Sequence, residues 1–134
     1  MRMSEITVSP ASLNHSVDGG SLEGYVVDCN RPQLINYLES QGATSDIVDA
    51  IQNRYSRVGI IRNMYVDEDA RGQGIGNQLV SDAIDSAAGL GAQAIVLVSD
   101  TAESNTMNLT AWYEGFGFEQ VGIAGGDPVM VLEL

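Results

Sequence analysis

The sequence predicts one α/β domain that contains a pair of parallel strands joined by a crossover helix. A run rich in β-branched residues over 58–66 is followed by a helical pattern over 75–89 and by a continuous apolar run over 94–98. A strand, a crossover helix and a second buried strand in this order form a parallel pair. The length of 134 residues suits a single domain with its own core.

Two further strands are expected near the N-terminus. Residues 5–9 and 24–28 are short runs with the apolar and β-branched residues typical of strands. Residues 10–21 between them are polar and contain several glycines and serines, so they are predicted to be turn-like. The sequence therefore assigns no strand to residues 10–21.

Two short helices are expected next. The first covers residues 32–41, with a proline at its start and Gly42 after its end. The second begins at a cap formed by Thr44 or Ser45 and runs to about residue 55. Apolar residues recur on one side of this second helix, which is predicted to face the core: Ile47, Val48 and Ile51.

The helix over 75–89 has an apolar face and a polar face opposite to it. After the second parallel strand, residues 117–124 and 128–134 are predicted to complete the sheet as a hairpin around a turn at 125–127. The apolar face of the helix is expected to contact the core through six residues: Ile75, Leu79, Val80, Ala83, Ile84 and Ala87.

The chain is strongly acidic. It has 18 aspartates and glutamates, six basic residues that are all arginines, and a formal net charge of −12. An acidic surface repels nucleic acid and attracts cations, so polyamines, other cationic amines or basic peptides are expected partners, and solubility alone is the other explanation. No apolar run approaches the ~20 residues that cross a bilayer, and no signal-type segment opens the chain, so no membrane contact and a cytoplasmic location are expected.

Cysteine and histidine are too few for several common chemistries. Cys29 cannot form an internal disulfide, and with His15 as the one histidine no closed metal site is expected. Cys29 ends an apolar run and is interpreted as a buried structural thiol. His15 lies in a polar segment that is expected to be irregular, so a mechanism built on a histidine is discounted.

The most informative stretch for chemistry follows the first parallel strand. Residues 71–76 are Arg-Gly-Gln-Gly-Ile-Gly and lead directly into the helix. A strand, a glycine-rich turn and a helix in this order aim backbone N–H groups and the positive end of a helix at a phosphate group, and glycine lets the backbone approach it closely. The turn lacks the Gly-Lys-Ser/Thr of a nucleoside-triphosphate loop, and Leu79 stands where a dinucleotide fingerprint has its third glycine. A glycine-rich turn without a ligand is the alternative.

A second motif places Tyr113 at 37 residues after Gly76. Residues 108–118 are Asn-Leu-Thr-Ala-Trp-Tyr-Glu-Gly-Phe-Gly-Phe. Together with Arg-x-x-Gly-x-Gly in the turn, this stretch resembles the GNAT N-acetyltransferases, whose motifs are Gln/Arg-x-x-Gly-x-Gly/Ala and Asn-x-x-Ala-x-x-x-Tyr-x-x-x-Gly-Phe. The resemblance covers residues 58–134. It implies the fold of that family, which is a mixed and mostly antiparallel sheet with a central parallel strand pair and flanking helices. In that fold the two parallel strands splay apart at their C-terminal ends, and the pantetheine arm enters the gap.

The resemblance also implies the reaction and the site. Acetyl-CoA would be the cosubstrate, and a small cationic amine or a protein amine would accept the acetyl group. Backbone groups of Met64, Tyr65 and Val66 would hold the pantetheine arm and polarise the thioester carbonyl. Tyr113 would donate a proton to the thiolate of CoA. The glycine turn would hold the pyrophosphate: Arg71, Gly72, Gln73, Gly74, Ile75 and Gly76.

The general base is left open. Ile60 occupies the position at which some family members carry a glutamate before the glycine turn. Asp100 and Glu103, after the second parallel strand, are the candidates here, and solvated loop acids that cap the next helix are the alternative explanation. Water is a further candidate for deprotonating the amine. Asn105 or Asn108 would fill the asparagine position of the family motif, beside the cofactor.

One departure from the family is visible. Its members usually carry helices between the first two of three strands before the glycine turn, whereas here both helices directly precede the strand over 58–66. Residues 1–57 are therefore expected to form a rebuilt or reduced acceptor side, and 58–134 the acetyl-CoA-binding core. Edge strands of a small sheet often pair between copies, so a homodimer is one expectation. Two other functions stay open, namely a degenerate fold that only binds a ligand or partner, and an acidic inhibitor protein.

Overall fold

The computed structural model describes residues 11–70, 72–99 and 109–134, without the side chains of Glu68 and Leu109. In this part of the chain, seven strands form one sheet and four α-helices pack on it. The strands are β1 (Ala11–Ser12), β2 (His15–Val17), β3 (Gly20–Asp28), β4 (Arg57–Val66), β5 (Ala94–Val98), β6 (Glu119–Ala124) and β7 (Asp127–Glu133). The helices are α1 (Pro32–Ser40), α2 (Ser45–Arg54), α3 (Ile75–Gly89) and α4 (Leu109–Glu114).

The sheet has the predicted class of architecture. Its strand order is β1-β3-β4-β5-β7-β6, and β2 pairs with β3 beside β1. β4 and β5 form the parallel pair, with α3 as the crossover between them, and the other pairings are antiparallel. A mixed, mostly antiparallel sheet with one central parallel pair is thus confirmed.

The parallel pair is short. β4 and β5 pair only through three positions, Val58 with Ala94, Gly59 with Ile95 and Ile60 with Val96. β4 continues to Val66 as the partner of β3, while β5 continues to Val98 as the partner of β7. The two strands therefore separate at their C-terminal ends, as the resemblance implied.

The prediction of a turn-like segment was wrong for residues 11–12, 15–17 and 20–21. Residues 11–12 and 15–17 form strands, and β3 begins at Gly20 rather than at residue 24. Val17 pairs with Gly20, so Asp18 and Gly19 form a two-residue hairpin turn in which Gly19 has φ +93°. Asp-Gly is a strong signal for such a turn, but strands of two and three residues are too short for an apolar alternation to reveal them. The strand expected over 5–9 lies outside the described residues.

The remaining elements agree closely with the sequence predictions. α1 and α2 lie where they were expected and directly precede β4, while α3 and β5 have the predicted boundaries. In the C-terminal hairpin, Gly125 and Gly126 form the turn, and Asp127 belongs to β7 rather than to the turn. Within the ranges described, no helix is long and apolar enough to span a membrane.

The core has two parts, one on each face of the sheet. α3 covers one face with Leu79, Val80 and Ala83, which are fully buried in a cluster that also contains the side chain of Tyr113. α1 and α2 cover the opposite face, and their cluster contains the side chain of Tyr37. The strands alternate between the two clusters, so that neighbouring residues of β4 face different helices.

Cys29 is buried in the core, and the ring of His15 contacts neighbouring elements of the fold. Cys29 is buried, and burial raises the pKa of its thiol to about 11, which confirms the structural assignment. His15 lies in β2 rather than in an irregular segment. Its Nδ1 is 2.7 Å from the carbonyl oxygen of Leu13, and its Nε2 is 3.2 Å from the hydroxyl oxygen of Ser86. His15 therefore ties the edge of the sheet to α3.

Candidate active site

A cleft of about 1110 Å³ opens where β4 and β5 separate. It is lined from both faces of the sheet, so we distinguish an α3 side and an α1 side. The α3 side consists of the glycine turn at the start of α3 and two aromatic residues of α4: Gly72, Gly74, Gly76, Trp112 and Tyr113. The α1 side consists of polar and charged residues of α1, β3 and β4: Tyr37, Gln41, Glu23, Arg62 and Asn63.

The glycine turn has a backbone that only glycine adopts easily. Gly72 and Gly74 have φ values of +83° and +80°, and Gly74 is the N-cap of α3. A Cβ added to either glycine would meet no atom within 4 Å. The space in front of the turn is therefore open, and an anion can approach the first N–H groups of α3. These features fit the pyrophosphate of CoA, because a helix N-terminus favours negative charge.

Trp112 closes the wall of the cleft beside this turn. A Cβ at Gly76 would lie 3.4 Å from the indole ring of Trp112. The indole Nε1–H donates a hydrogen bond of 3.1 Å to the side-chain oxygen of Asn77. Trp112 of α4 thus packs directly against the beginning of α3.

Tyr113 lies deeper in the cleft. Its side chain is 7% exposed, and its ring is in edge contact with Trp112 at a centroid distance of 5.0 Å and with Phe118 at 5.6 Å. Burial raises the pKa of the phenol to about 12. The hydroxyl group therefore stays protonated through the neutral range and keeps a proton that it can donate.

β4 forms the floor of the cleft. The predicted residues Met64, Tyr65 and Val66 all line it. Their strand contains a bulge, because Glu23 pairs with Asn63 and Gly24 pairs with Ile61, which leaves Arg62 as an extra residue.

Gly24 permits the strands to approach at this bulge. A Cβ at Gly24 would clash with the carbonyl oxygen of Ile60. Beyond Ile60, β4 has left β5, so one edge of its backbone faces the cleft rather than a neighbouring strand. This arrangement can present peptide groups to an extended ligand.

Tyr37 reaches the cleft from α1. Its side chain is 7% exposed, and its hydroxyl group donates a hydrogen bond of 3.3 Å to the carbonyl oxygen of Ile61. The same hydroxyl oxygen accepts a hydrogen bond of 3.1 Å from the N–H of Val98. Burial raises the pKa of Tyr37 to about 12, the hydrogen bond from Val98 lowers it, and the proximity of Tyr113 raises it further.

The charged groups of the cleft lie on the α1 side. Among the described residues that line it, Glu23 has the one carboxylate and Arg62 the one guanidinium group. Both also line an adjoining depression of about 300 Å³. The Glu23 carboxylate is 3.5 Å from the side-chain nitrogen of Asn63. A cationic or zwitterionic group can therefore meet its counter-charge here.

The structure brings together only part of the predicted site. Ile60 is fully buried in the core beneath α1 and does not line the cleft. Within the described ranges, no cluster of three or more potential metal ligands occurs. Five predicted residues lie outside the described residues: Arg71, Asp100, Glu103, Asn105 and Asn108.

Sequence reasoning missed the residues on the α1 side. Tyr37 shares a helical face with Leu34 and Leu38 and has the pattern of an ordinary core residue. Glu23 and Arg62 carry no motif, and only the bulge between their strands brings them to the cleft. The sequence contained no signal for that bulge apart from the glycine at position 24.

The fold and the site define the class of protein. A family model described as an acetyltransferase (GNAT) domain matches residues 33–120, which is more than half of the chain. The chain therefore belongs to the GNAT acetyltransferases, and its cosubstrate is acetyl-CoA. No curated protein matches the sequence.

Solved structures share the fold at low sequence identity. An acetyltransferase from Bacillus cereus has a TM-score of 0.62 and 16% identity, covering 100% of this chain and 81% of that one. The polyamine N-acetyltransferase of Drosophila melanogaster has a TM-score of 0.62 and 11% identity, covering 87% and 69%. The PaiA N-acetyltransferase of Thermoplasma acidophilum, solved with coenzyme A, has a TM-score of 0.57 and 13% identity, covering 89% and 57%.

Proposed function

We propose that this chain transfers the acetyl group of acetyl-CoA to a primary amine by direct attack of the amine on the thioester. The observation that supports this most is the continuity of the cleft. It has an anion-accepting helix N-terminus on the α3 side, a buried protonated phenol in the middle and a carboxylate on the α1 side. These are the groups that acyl transfer between a negatively charged cosubstrate and an amine requires.

The α3 side suits the cosubstrate. The N–H groups at the start of α3 would hold the pyrophosphate, with Gly72 and Gly74 leaving room for it. The edge of β4 over Met64, Tyr65 and Val66 would align the pantetheine arm and aim backbone donors at the thioester carbonyl. Donors of this kind lower the barrier by about 3 kcal/mol each when they meet a developing oxyanion.

Tyr113 would assist the leaving group. As the amine nitrogen bonds to the carbonyl carbon and the carbon–sulfur bond breaks, the phenol donates its proton to the departing sulfur, which leaves as a thiol. The acylated nitrogen loses a proton in the same reaction, and this proton would restore the phenol through water. The raised pKa keeps this proton in place at neutral pH. An ordinary thiol has a pKa of about 8.5, below that of the phenol, so the hydrogen bond to the forming thiolate matters as much as complete transfer.

The acceptor would arrive from the α1 side. An alkylamine is cationic near neutral pH, and the Glu23 carboxylate is placed to attract it and to receive its proton, directly or through water. Asp100 and Glu103 stay candidates for the base. The net charge of −12 favours cationic acceptors, and the structural relationship to a polyamine N-acetyltransferase makes polyamines a first choice for testing.

A CoA-release assay over a panel of amines tests this proposal. The panel contains a polyamine, a lysine-rich peptide, a peptide with a free N-terminus and a neutral amine, each with acetyl-CoA and wild-type protein. We expect amine-dependent release of CoA and an acetylated product by mass spectrometry. CoA binding without turnover of any amine would instead favour a binding module, and the absence of both would remove the proposal.

A further inference from the structure

The hydroxyl group of Tyr37 lies between β4 and β5 at the point where the two strands separate, which we call the fork. The last paired residues of the ladder are Ile60 and Val96. Just beyond them, the hydroxyl group bonds the carbonyl oxygen of Ile61 on β4 and the N–H of Val98 on β5. One side chain from α1 thus bridges the strands at the first position where they no longer bond each other.

This bridge replaces backbone hydrogen bonds that the splayed strands have lost. Buried carbonyl and N–H groups almost always have a partner, and a hydroxyl group can accept from one and donate to the other. Because the ring is packed among the core residues of α1, the hydroxyl group has little freedom to move. The hydroxyl group is therefore a fixed link between the two strands at the point where they separate.

We propose that Tyr37 is a positioning residue of acyl transfer, which fixes the gap between β4 and β5 so that the thioester is aligned with the attacking amine. This inference deepens the proposed function and rests on it. Tyr37 acts through the two strands and is not assigned a proton-transfer step. Its position opposite Tyr113 means that a change in the fork alters the distance between the thioester and the phenol.

The test compares Tyr37→Phe with Tyr55→Phe. Tyr37→Phe keeps the ring and removes the bridging hydroxyl group. Tyr55→Phe removes a tyrosine hydroxyl group that bonds Glu133 at 2.8 Å and does not line the cleft. For Tyr37→Phe we expect kcat/KM for acetyl-CoA to fall by about 10-fold or more, because small misplacements of reacting groups are costly. The KM of the amine should change by less than about 2-fold, and Tyr55→Phe should match wild type.

Hydrogen exchange separates positioning from folding. In Tyr37→Phe, the amide of Val98 should exchange faster, because it loses its hydrogen-bond acceptor. The amide of Ser99 should keep its rate, because it donates to the carbonyl oxygen of Pro128 in β7 and not to Tyr37. Kinetics are compared per folded molecule, well below the melting temperature of each variant. Faster exchange at Val98 together with wild-type kcat/KM would show that the bridge is only structural and would overturn the proposal.

Failure of the proposed function is distinguishable from failure of this inference. If wild-type protein acetylates no amine, the proposed function fails, and calorimetry with CoA then decides the role of Tyr37. In that case, weaker CoA binding by Tyr37→Phe than by Tyr55→Phe supports a fork set by Tyr37. Equal CoA affinity of the two variants overturns the inference.

Discussion

The two sides of the cleft are built in different ways. On the α3 side, the glycine turn and the first turn of α3 are contiguous in sequence, and Trp112 and Tyr113 are neighbours on α4. On the α1 side, the hydroxyl group of Tyr37 bonds residues that are 24 and 61 positions away. The α3 side can therefore be recognised from local sequence motifs, whereas the residues of the α1 side are far apart in sequence and come together only on folding. The difference shows why a family motif reveals the cosubstrate more readily than the acceptor.

The largest effect is expected at the glycine turn. Gly74→Asp should weaken CoA binding by more than about 100-fold, because it adds a negative charge and a side chain where the pyrophosphate would lie. Calorimetry with CoA measures the affinity.

Gly126→Asp is the matched control for that variant. Gly126 also has positive φ (+92°) and open space at its Cβ position, but it lies in the β6–β7 turn away from the cleft. The backbone strain of the two variants is therefore comparable, and their melting temperatures report it. Equal CoA affinity of both variants would mean that the pyrophosphate binds elsewhere.

Tyr113→Phe should have the next largest effect. The variant keeps the ring and its contacts with Trp112 and Phe118 but removes the proton donor. We expect kcat to fall by about 10²-fold, as is usual when a general acid is lost, with little change in CoA affinity. Steady-state kinetics over a range of pH make the measurement. Unaltered turnover and pH dependence would assign the proton to water or to another group.

Glu23→Gln should affect the acceptor rather than the cosubstrate. We expect kcat/KM for a cationic amine to fall by about 10-fold and that for a neutral amine to fall less, because the carboxylate attracts the cation. Glu119→Gln on β6 makes the same change in net charge outside the cleft and is the control. A similar loss in both variants would show that overall charge, and not Glu23, steers the acceptor.

Varying the salt concentration tests the same electrostatic attraction of the acceptor, with a smaller expected effect. Exposed charges are screened over about 8 Å at physiological ionic strength. The advantage of a polyamine over a neutral amine should therefore shrink by a few-fold between low and high salt. Initial rates for both amines at two salt concentrations measure it, and equal responses to salt would remove the steering hypothesis.

The smallest effect is expected in alkaline unfolding. Burial raises the pKa of Tyr37 and of Tyr113 to about 12. Above a pH of about 10 the unfolded chain loses these protons while the native protein keeps them, so the free energy of unfolding falls as pH rises. Between pH 8 and 10.5 the loss should be below about 1 kcal/mol for each tyrosine. Urea unfolding should show a flatter dependence in Tyr113→Phe, and an unchanged slope would contradict the burial of its phenol.

Local patterns predicted most of the fold. The boundaries of α3 and β5 follow from an apolar period and a continuous apolar run, both of which reflect burial directly. β1 and β2 were missed because they are only two and three residues long, which is too short for an alternating apolar pattern to be recognised. Local motifs also predicted the glycine turn and Tyr113 as site residues, and the structure places Gly72, Gly74, Gly76 and Tyr113 along the cleft. Glu23, Tyr37 and Arg62 meet through a bulge and a long-range packing contact, which no local pattern encodes.

The most direct test of a two-sided cleft uses the indole group of Trp112. Because the chain has one tryptophan, its Nε1–H gives a single, readily assigned NMR signal. This N–H bonds Asn77 at the start of α3. On titration with CoA, we predict a large shift of the indole signal and of the amides of Gly72, Gly74 and Val66. Ser12 and Asn14, which line the adjoining depression beside Glu23 and Arg62, should shift little. Saturating CoA that left the indole and glycine-turn signals in place, or moved mainly Ser12 and Asn14, would contradict the account.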